Sequence, residues 1–226
     1  MREDLPTLYV ILDAELLGDS LIPMAASLVE AGVSLFQLRH KAGTARTTFE
    51  IAQRLVDVIG PHTCKGGHDS APRGLRLIIN DRPDVAALVF ENRRGGGTHV
   101  GREDIAPDDA RILCPQPMWV GVSTHNLEQV READRTTADY VAFGPIFPTL
   151  TKANPDPVTG LELLREARKL TRKPLVAIGG ITAENATGVF EAGADSVAVV
   201  RDILMAREPG ERAGEFLKIA AAIERN

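Results

Sequence analysis

Short apolar runs and longer amphipathic stretches alternate along the chain. Leu8 to Leu12 is uniformly apolar, and Leu16 to Ala31 then repeats apolar residues at helical spacing up to Gly32, a residue suited to close a helix. Val33 to Leu38 is the second run. Thr44 to Ile59 carries Phe49, Ala52, Leu55, Val56 and Ile59 on one helical face and is stopped by Gly60 and Pro61. Further apolar runs fall at Leu75 to Ile79, Thr98 to Val100, Met118 to Val122, Val141 to Phe143, Leu175 to Ile178 and Ser196 to Val200. Helices are predicted at Pro83 to Val89, Asn126 to Arg135, Thr159 to Leu170, Ala183 to Ala192 and Gly210 to Ile223. About eight strands, joined by connections long enough for parallel crossovers, predict an α/β fold: a single (β/α)8 TIM barrel over residues 1–226. The alternative is an open doubly wound sheet, but its Gly-rich fingerprint does not follow the first strand.

One stretch breaks the alternation. Pro61 to Gly74 (PHTCKGGHDSAPRG) is polar, with Gly and Pro throughout, and reads as a mobile insertion. His62, Cys64, His68 and Asp69 are metal-ligand types, but their spacing fits no common site.

Composition narrows the picture. A chain of 226 residues with 44% hydrophobic content can bury a sizeable core, and aromatics at 4% leave Val, Ile, Leu and Ala to build it. The net charge of -5, without any basic stripe, argues against nucleic acid as a partner. Anionic ligands must then be met by local Arg, Lys, metal or backbone amides. Cys64 and Cys114 suggest neither a disulfide framework nor a zinc site. The start, MREDLPTLYV, lacks the pattern of a signal peptide, and no apolar run approaches membrane-spanning length. A cytoplasmic protein with no membrane partner is expected.

Candidate chemistry gathers just past the apolar runs. Gln37, Arg39 and Lys41 alternate after the second, so all three face one side. Asn80 and Asp81 follow the third, Gly101 to Asp104 the fourth, and Ser123, Thr124 and His125 the fifth. After the sixth, Gly144-Pro145 stops the strand and Thr149, Thr151 and Lys152 follow. The seventh ends in Gly179-Gly180 and the eighth in Val200, Arg201 and Asp202. In a barrel these ends converge on one face.

Two kinds of chemistry emerge. Arg39, Lys41 and Lys152 suit phosphate oxygens, Arg as a fork and Lys as a point charge. Asp81 and Asp104, from neighbouring strands, can share Mg2+, which usually takes a few carboxylates plus substrate phosphates. Together they suit a diphosphate. The Gly179-Gly180 turn and the amides around Val200 and Arg201 form the usual barrel cradle for a monophosphate. Two phosphate sites imply two phosphorylated small-molecule substrates, or one long one. Each residue also has a plainer reading: Asp81 can cap the helix near Pro83, Asp104 a turn, and the glycines can serve tight packing. The shared end of the barrel and the complementary charges favour the joint reading.

The segments QLRHK (Gln37 to Lys41), IINDRPDVA (Ile79 to Ala86), THVGREDI (Thr98 to Ile105), GVSTHN (Gly121 to Asn126), GPIFPTLTK (Gly144 to Lys152), VAIGGI (Val176 to Ile181) and GADSVAVV (Gly193 to Val200) resemble thiamine phosphate synthase, in the family's order. The resemblance implies a barrel enzyme, a transferase joining hydroxymethylpyrimidine diphosphate to hydroxyethylthiazole phosphate with release of pyrophosphate. It implies Gln37, Arg39, Lys41, Asn80, Ser123 and Lys152 around the pyrimidine diphosphate, with His40 inside the same motif, and Mg2+ on Asp81 and Asp104. Thr149, Thr151 and Gly180, with the backbone at Val200 and Arg201, are implied for the thiazole phosphate. Arg39, Lys41, Ser123 and Lys152 are the expected catalytic set, and a homodimer is what the family suggests. A thiazole tautomerase on the same fold, or an idle barrel that senses thiamine precursors, are the rival readings. Arg201 departs from the family, which usually has a small residue there, and the Pro61 to Gly74 stretch is longer than expected.

Overall fold

The computed structural model describes residues 5–59, 76–91, 96–149, 151 and 156–223. Eight parallel strands run in sequence order around a closed barrel: β1 (Leu8–Asp13), β2 (Leu35–Arg39), β3 (Arg76–Asn80), β4 (Gly96–Val100), β5 (Trp119–Thr124), β6 (Tyr140–Phe143), β7 (Leu175–Ile178) and β8 (Ser196–Val199). Closure comes from β8 pairing back onto β1, with Tyr9 beside Ala198. The runs are apolar because each strand is buried on both faces, against the helices outside and the barrel interior within.

Helices cover the outside. The Leu16 to Ala31 helix expected from periodicity is divided into α1 (Ala14–Leu17), a 3-10 turn (Gly18–Ser20) and α2 (Leu21–Glu30). Gly18 takes φ 49°, a left-handed value that ends the first helix, while Asp13 caps its start by accepting from the Leu16 amide. There follow α3 (Ala45–Ile59), α4 (Pro83–Phe90), α5 (Pro107–Leu113), α6 (Leu127–Asp134), α7 (Gly160–Leu170), α8 (Ala183–Glu191), α9 (Arg201–Leu204) and α10 (Pro209–Ile223). Helix α5 was not among the periodic stretches, because only Ala110 of it is buried and no apolar stripe exists. Its Pro107 start and acidic first turn, Asp108 and Asp109, were the available signals. Among the described residues, no helix is long and apolar enough to cross a membrane.

Two apolar layers result. The outer one, between strands and helices, is mostly aliphatic, with phenylalanines such as Phe36, Phe143 and Phe216 in it. The inner one fills the barrel and departs from the aliphatic expectation: Tyr9, Tyr140 and Trp119 stand there among Ile11, Leu35, Ile78 and Val176. These are both tyrosines and the one tryptophan of the chain. A barrel interior needs bulk that four-residue strands of Val and Ala cannot supply, and Tyr brings a polar tip that can be satisfied there. Below them the Arg76 guanidinium lies over the Trp119 ring, 3.8 Å from its centroid.

Candidate active site

A cavity of about 840 Å³ opens at the C-terminal ends of the strands. It brings together Gln37, Arg39, Lys41, Asn80, Asp81, Asp104, Ser123, Thr149, Thr151, Gly180, Val200 and Arg201. Lys152 lies outside the described residues, as do His62, Cys64, His68 and Asp69. His40 is the exception, and here the expectation needs correcting. Side chains alternate along β2 and beyond, so Gln37, Arg39 and Lys41 face the cavity while His40 turns toward α3. Its Nδ1 sits 3.1 Å from Thr48 Oγ1, and it is not among the cavity-lining residues.

The cations are held by acids. Arg39 Nη1 donates to Asp13 Oδ2 at 2.5 Å, from a strand position directly across from Asp13. Asp13 is buried, and with its other oxygen it caps α1, so one carboxylate fixes both the helix start and the guanidinium. Glu15 stands 4.0 Å from the same Arg39 nitrogen and accepts from the Ala42 amide. Sequence reasoning missed Asp13 and Glu15; the signal was a carboxylate directly after the first apolar run. Lys41 Nζ donates to Asp81 Oδ2 across the gap between β2 and β3.

Asp81 is unusual in its backbone. Its φ of 60° makes it the one non-glycine residue with positive φ among those described. Asp tolerates this region better than most residues, and such strain concentrates where geometry serves function. Asp81 does not cap α4, whose N-cap position is Arg82 and carries no side-chain capping bond. The Asp81 amide instead donates to the His99 carbonyl at 2.8 Å, which anchors the turn on β4. Asp104 is held by the Gly101 amide, 2.7 Å from its Oδ2. Burial, and then the hydrogen bond and charge of neighbouring Asp81, push the Asp104 carboxyl above the usual carboxylate range. Two carboxylates that face each other so closely, with an ammonium drawn onto one of them, are a donor set that fits a hard divalent cation.

The other half of the cavity is built from backbone. Ile146 and Phe147 amides donate to the Ile178 and Gly179 carbonyls at 2.9 and 3.0 Å, laying the loop after β6 onto the turn after β7. Gly180 has φ 63°, and a Cβ there would meet the Pro148 carbonyl at 2.4 Å. Glycine is therefore required by conformation and by space together. Its carbonyl accepts from Asn185 Nδ2, and the reciprocal Thr182–Asn185 capping box begins α8 at once. Val200 caps α9, and Arg201 opens it as an exposed side chain on the cavity rim. Asp202 is tied down by Arg212 of α10 at 2.8 Å and by the Ala183 amide at 3.2 Å.

Comparison with known proteins accords with this geometry. Residues 8–203 match the family model described as thiamine monophosphate synthase. A thiamine-phosphate synthase of Koribacter versatilis is 46% identical over 220 residues, covering 95% of this chain and 96% of its own. One of Syntrophomonas wolfei is 37% identical over 221 residues, covering 97% of each. Among solved structures, a thiamine phosphate pyrophosphorylase of Pyrococcus furiosus superposes with a TM-score of 0.79 at 29% identity, over 96% of both chains. With matches of this length and identity, the chain belongs to the thiamine monophosphate synthase family and is a transferase.

Proposed function

We propose that this barrel condenses 4-amino-2-methyl-5-hydroxymethylpyrimidine diphosphate with 4-methyl-5-(2-hydroxyethyl)thiazole phosphate, giving thiamine phosphate and pyrophosphate. The observation that carries the reading is the pairing, in one cavity, of Arg39 and Lys41 with the facing carboxylates Asp81 and Asp104. Gln37, Arg39, Lys41, Asn80 and Ser123, with Lys152, hold the pyrimidine diphosphate. Thr149, Thr151, Gly180 and the backbone at Val200 and Arg201 take the thiazole phosphate. Asp81 and Asp104 would hold Mg2+, which would supply positive charge to the diphosphate.

The reaction is dissociative on this reading. The bond between the pyrimidine methylene carbon and the diphosphate oxygen breaks first, and its electron pair leaves with the diphosphate. Arg39, Lys41 and Lys152 meet the charge that grows on the departing oxygens, since cations aimed at developing charge stabilise the transition state. The aminopyrimidine ring stabilises the methylene cation, and the thiazole nitrogen lone pair then forms the new carbon–nitrogen bond. No step requires an activated nucleophile from the protein. Diphosphate-gripping groups also separate this reading from an isomerase on the same fold, which has no leaving diphosphate to hold.

The test is to mix the purified protein with both substrates and Mg2+ and to measure thiamine phosphate. Chelation should abolish turnover. Asp81→Asn keeps a residue that tolerates the positive φ but removes the charge, and it should slow turnover on the order of a hundredfold or more. Full activity in excess chelator would refute the metal assignment.

A further inference from the structure

A chain of hydrogen bonds crosses the barrel interior along the wall of the cavity, which Tyr9, Gln37, His99 and Ser123 line. Gln37 Nε2 on β2 donates to the Tyr9 hydroxyl on β1 at 2.7 Å. The Tyr9 and Tyr140 hydroxyls, from β1 and β6, are 3.0 Å apart. Tyr140 reaches His99 Nδ1 on β4 at 3.1 Å, and His99 Nε2 reaches Ser123 Oγ on β5 at 2.9 Å. Gln37, Tyr9, His99 and Tyr140 are all buried. The room for this chain is built in: a Cβ on Gly121 would lie 2.0 Å from the Tyr140 ring.

With the Gln37 amide nitrogen as the donor to Tyr9, the chain runs in one direction. The Tyr9 oxygen accepts from Gln37, so the Tyr9 proton has the Tyr140 oxygen as its acceptor. Tyr140 then spends its own proton on His99 Nδ1. In this direction His99 carries its proton on Nε2 and donates it to Ser123 Oγ. The Ser123 proton is left to point into the cavity. Reversing the direction while Gln37 still donates would leave the buried Tyr9 proton without an acceptor. Burial raises both phenol pKa values far above neutral, so each tyrosine keeps the proton that the chain uses.

We propose that Tyr9, Tyr140 and His99 are positioning residues that set the polarity of the site: through the Nε2–H form of His99 they hold Ser123 as a hydrogen-bond donor toward an acceptor atom of the pyrimidine diphosphate. The role assigned to Ser123 rests on the proposed function; the direction of the chain does not. Tyr9 and His99 line the cavity and Tyr140 stands behind them, and the role assigned to all three is exerted through Ser123 and Gln37. They act on which atom of Ser123, and which side of the Gln37 amide, the substrate meets.

Two measurements on the full-length protein test this. In nitrogen-15 spectra of histidine-labelled protein, with His99 assigned by loss of its signals in His99→Gln, the wild type should show the Nε2–H form. An Nδ1–H form overturns the proposal. In kinetics, Tyr140→Phe removes one oxygen and keeps the ring, and should raise the Michaelis constant for the pyrimidine diphosphate by about tenfold. The constant for thiazole phosphate should stay within about twofold. Combining Tyr140→Phe with Ser123→Ala should add little to Ser123→Ala alone, because both break one chain. Additive losses, or equal losses for both substrates, overturn the proposal. If Tyr140→Phe folds poorly, Tyr9→Phe interrupts the same chain and must give the same pattern. A wild type that forms no thiamine phosphate refutes the functional reading instead, and the spectrum still judges the chain.

Discussion

Arg39 shows how much of this site depends on single contacts. Its guanidinium is oriented by buried Asp13 and faces the cavity with its remaining donors. On the proposed mechanism, Arg39→Ala should depress turnover more than it weakens thiazole phosphate binding, because its charge is needed most as the diphosphate departs. Arg39→Lys should recover only part of the loss, since an ammonium cannot reproduce the fork held by Asp13. Steady-state kinetics with each substrate varied in turn will check both; equal loss of affinity for the two substrates would point to a general field effect. Arg201 is the opposite case. It is exposed on the rim, and the proposed phosphate contact belongs to its backbone. Arg201→Ser should therefore leave both Michaelis constants nearly unchanged.

At the scale of elements, the three helices that follow β7 and β8 are fastened together by one arginine. Arg212 of α10 bonds Glu184 of α8 at 2.7 Å, Asp202 of α9 at 2.8 Å and Glu215 of its own helix at 2.6 Å. The Arg212 contact, and then the Thr182 hydroxyl, hold the Glu184 carboxyl down to about 2 from an ordinary 4.5. The folded value lies below the unfolded one, so this contribution to stability is complete above about pH 4.5 and is lost as pH falls toward about 2. Between those limits the melting temperature of Glu184→Gln should fall less steeply with acid than that of the wild type. The effect will be small, because Glu184 is exposed and water screens the pair.

Elements also decide what the sequence could reveal. A buried parallel strand is apolar along its length and polar only where it ends, so Gln37, Asn80, Asp81, Ser123 and Gly180 stood out against their runs. Asp13 ends β1 in the same way, but its tie to Arg39, 26 residues away, is invisible in a linear pattern. Tyr9, His99 and Tyr140 were hidden for a related reason. Each sits inside a strand whose neighbours are buried, and nothing in a linear pattern says that their hydroxyl and imidazole groups meet across the barrel. His40 erred the other way: it belongs to a polar motif, but alternation turns it outward.

For the whole molecule, stability resides in the outer layer and chemistry at one end of the barrel. Phe216 of α10 is fully buried in that layer and does not line the cavity. Phe216→Ala should cost about 3–5 kcal/mol in urea unfolding. Under native conditions its Michaelis constants should stay within about twofold, since packing changes at a distance from the cavity add independently. Tyr9, Trp119, Tyr140 and Arg76 stopper the barrel from below, which imposes a rule of traffic. On the proposed function, both reactants must arrive, and both products must depart, by the same doorway. On the proposed assignment the pyrimidine rests deepest, against Gln37 and Ser123, so it has to come in ahead of the thiazole. The finished thiamine phosphate, its pyrimidine end innermost, has to back out the way its parts came in.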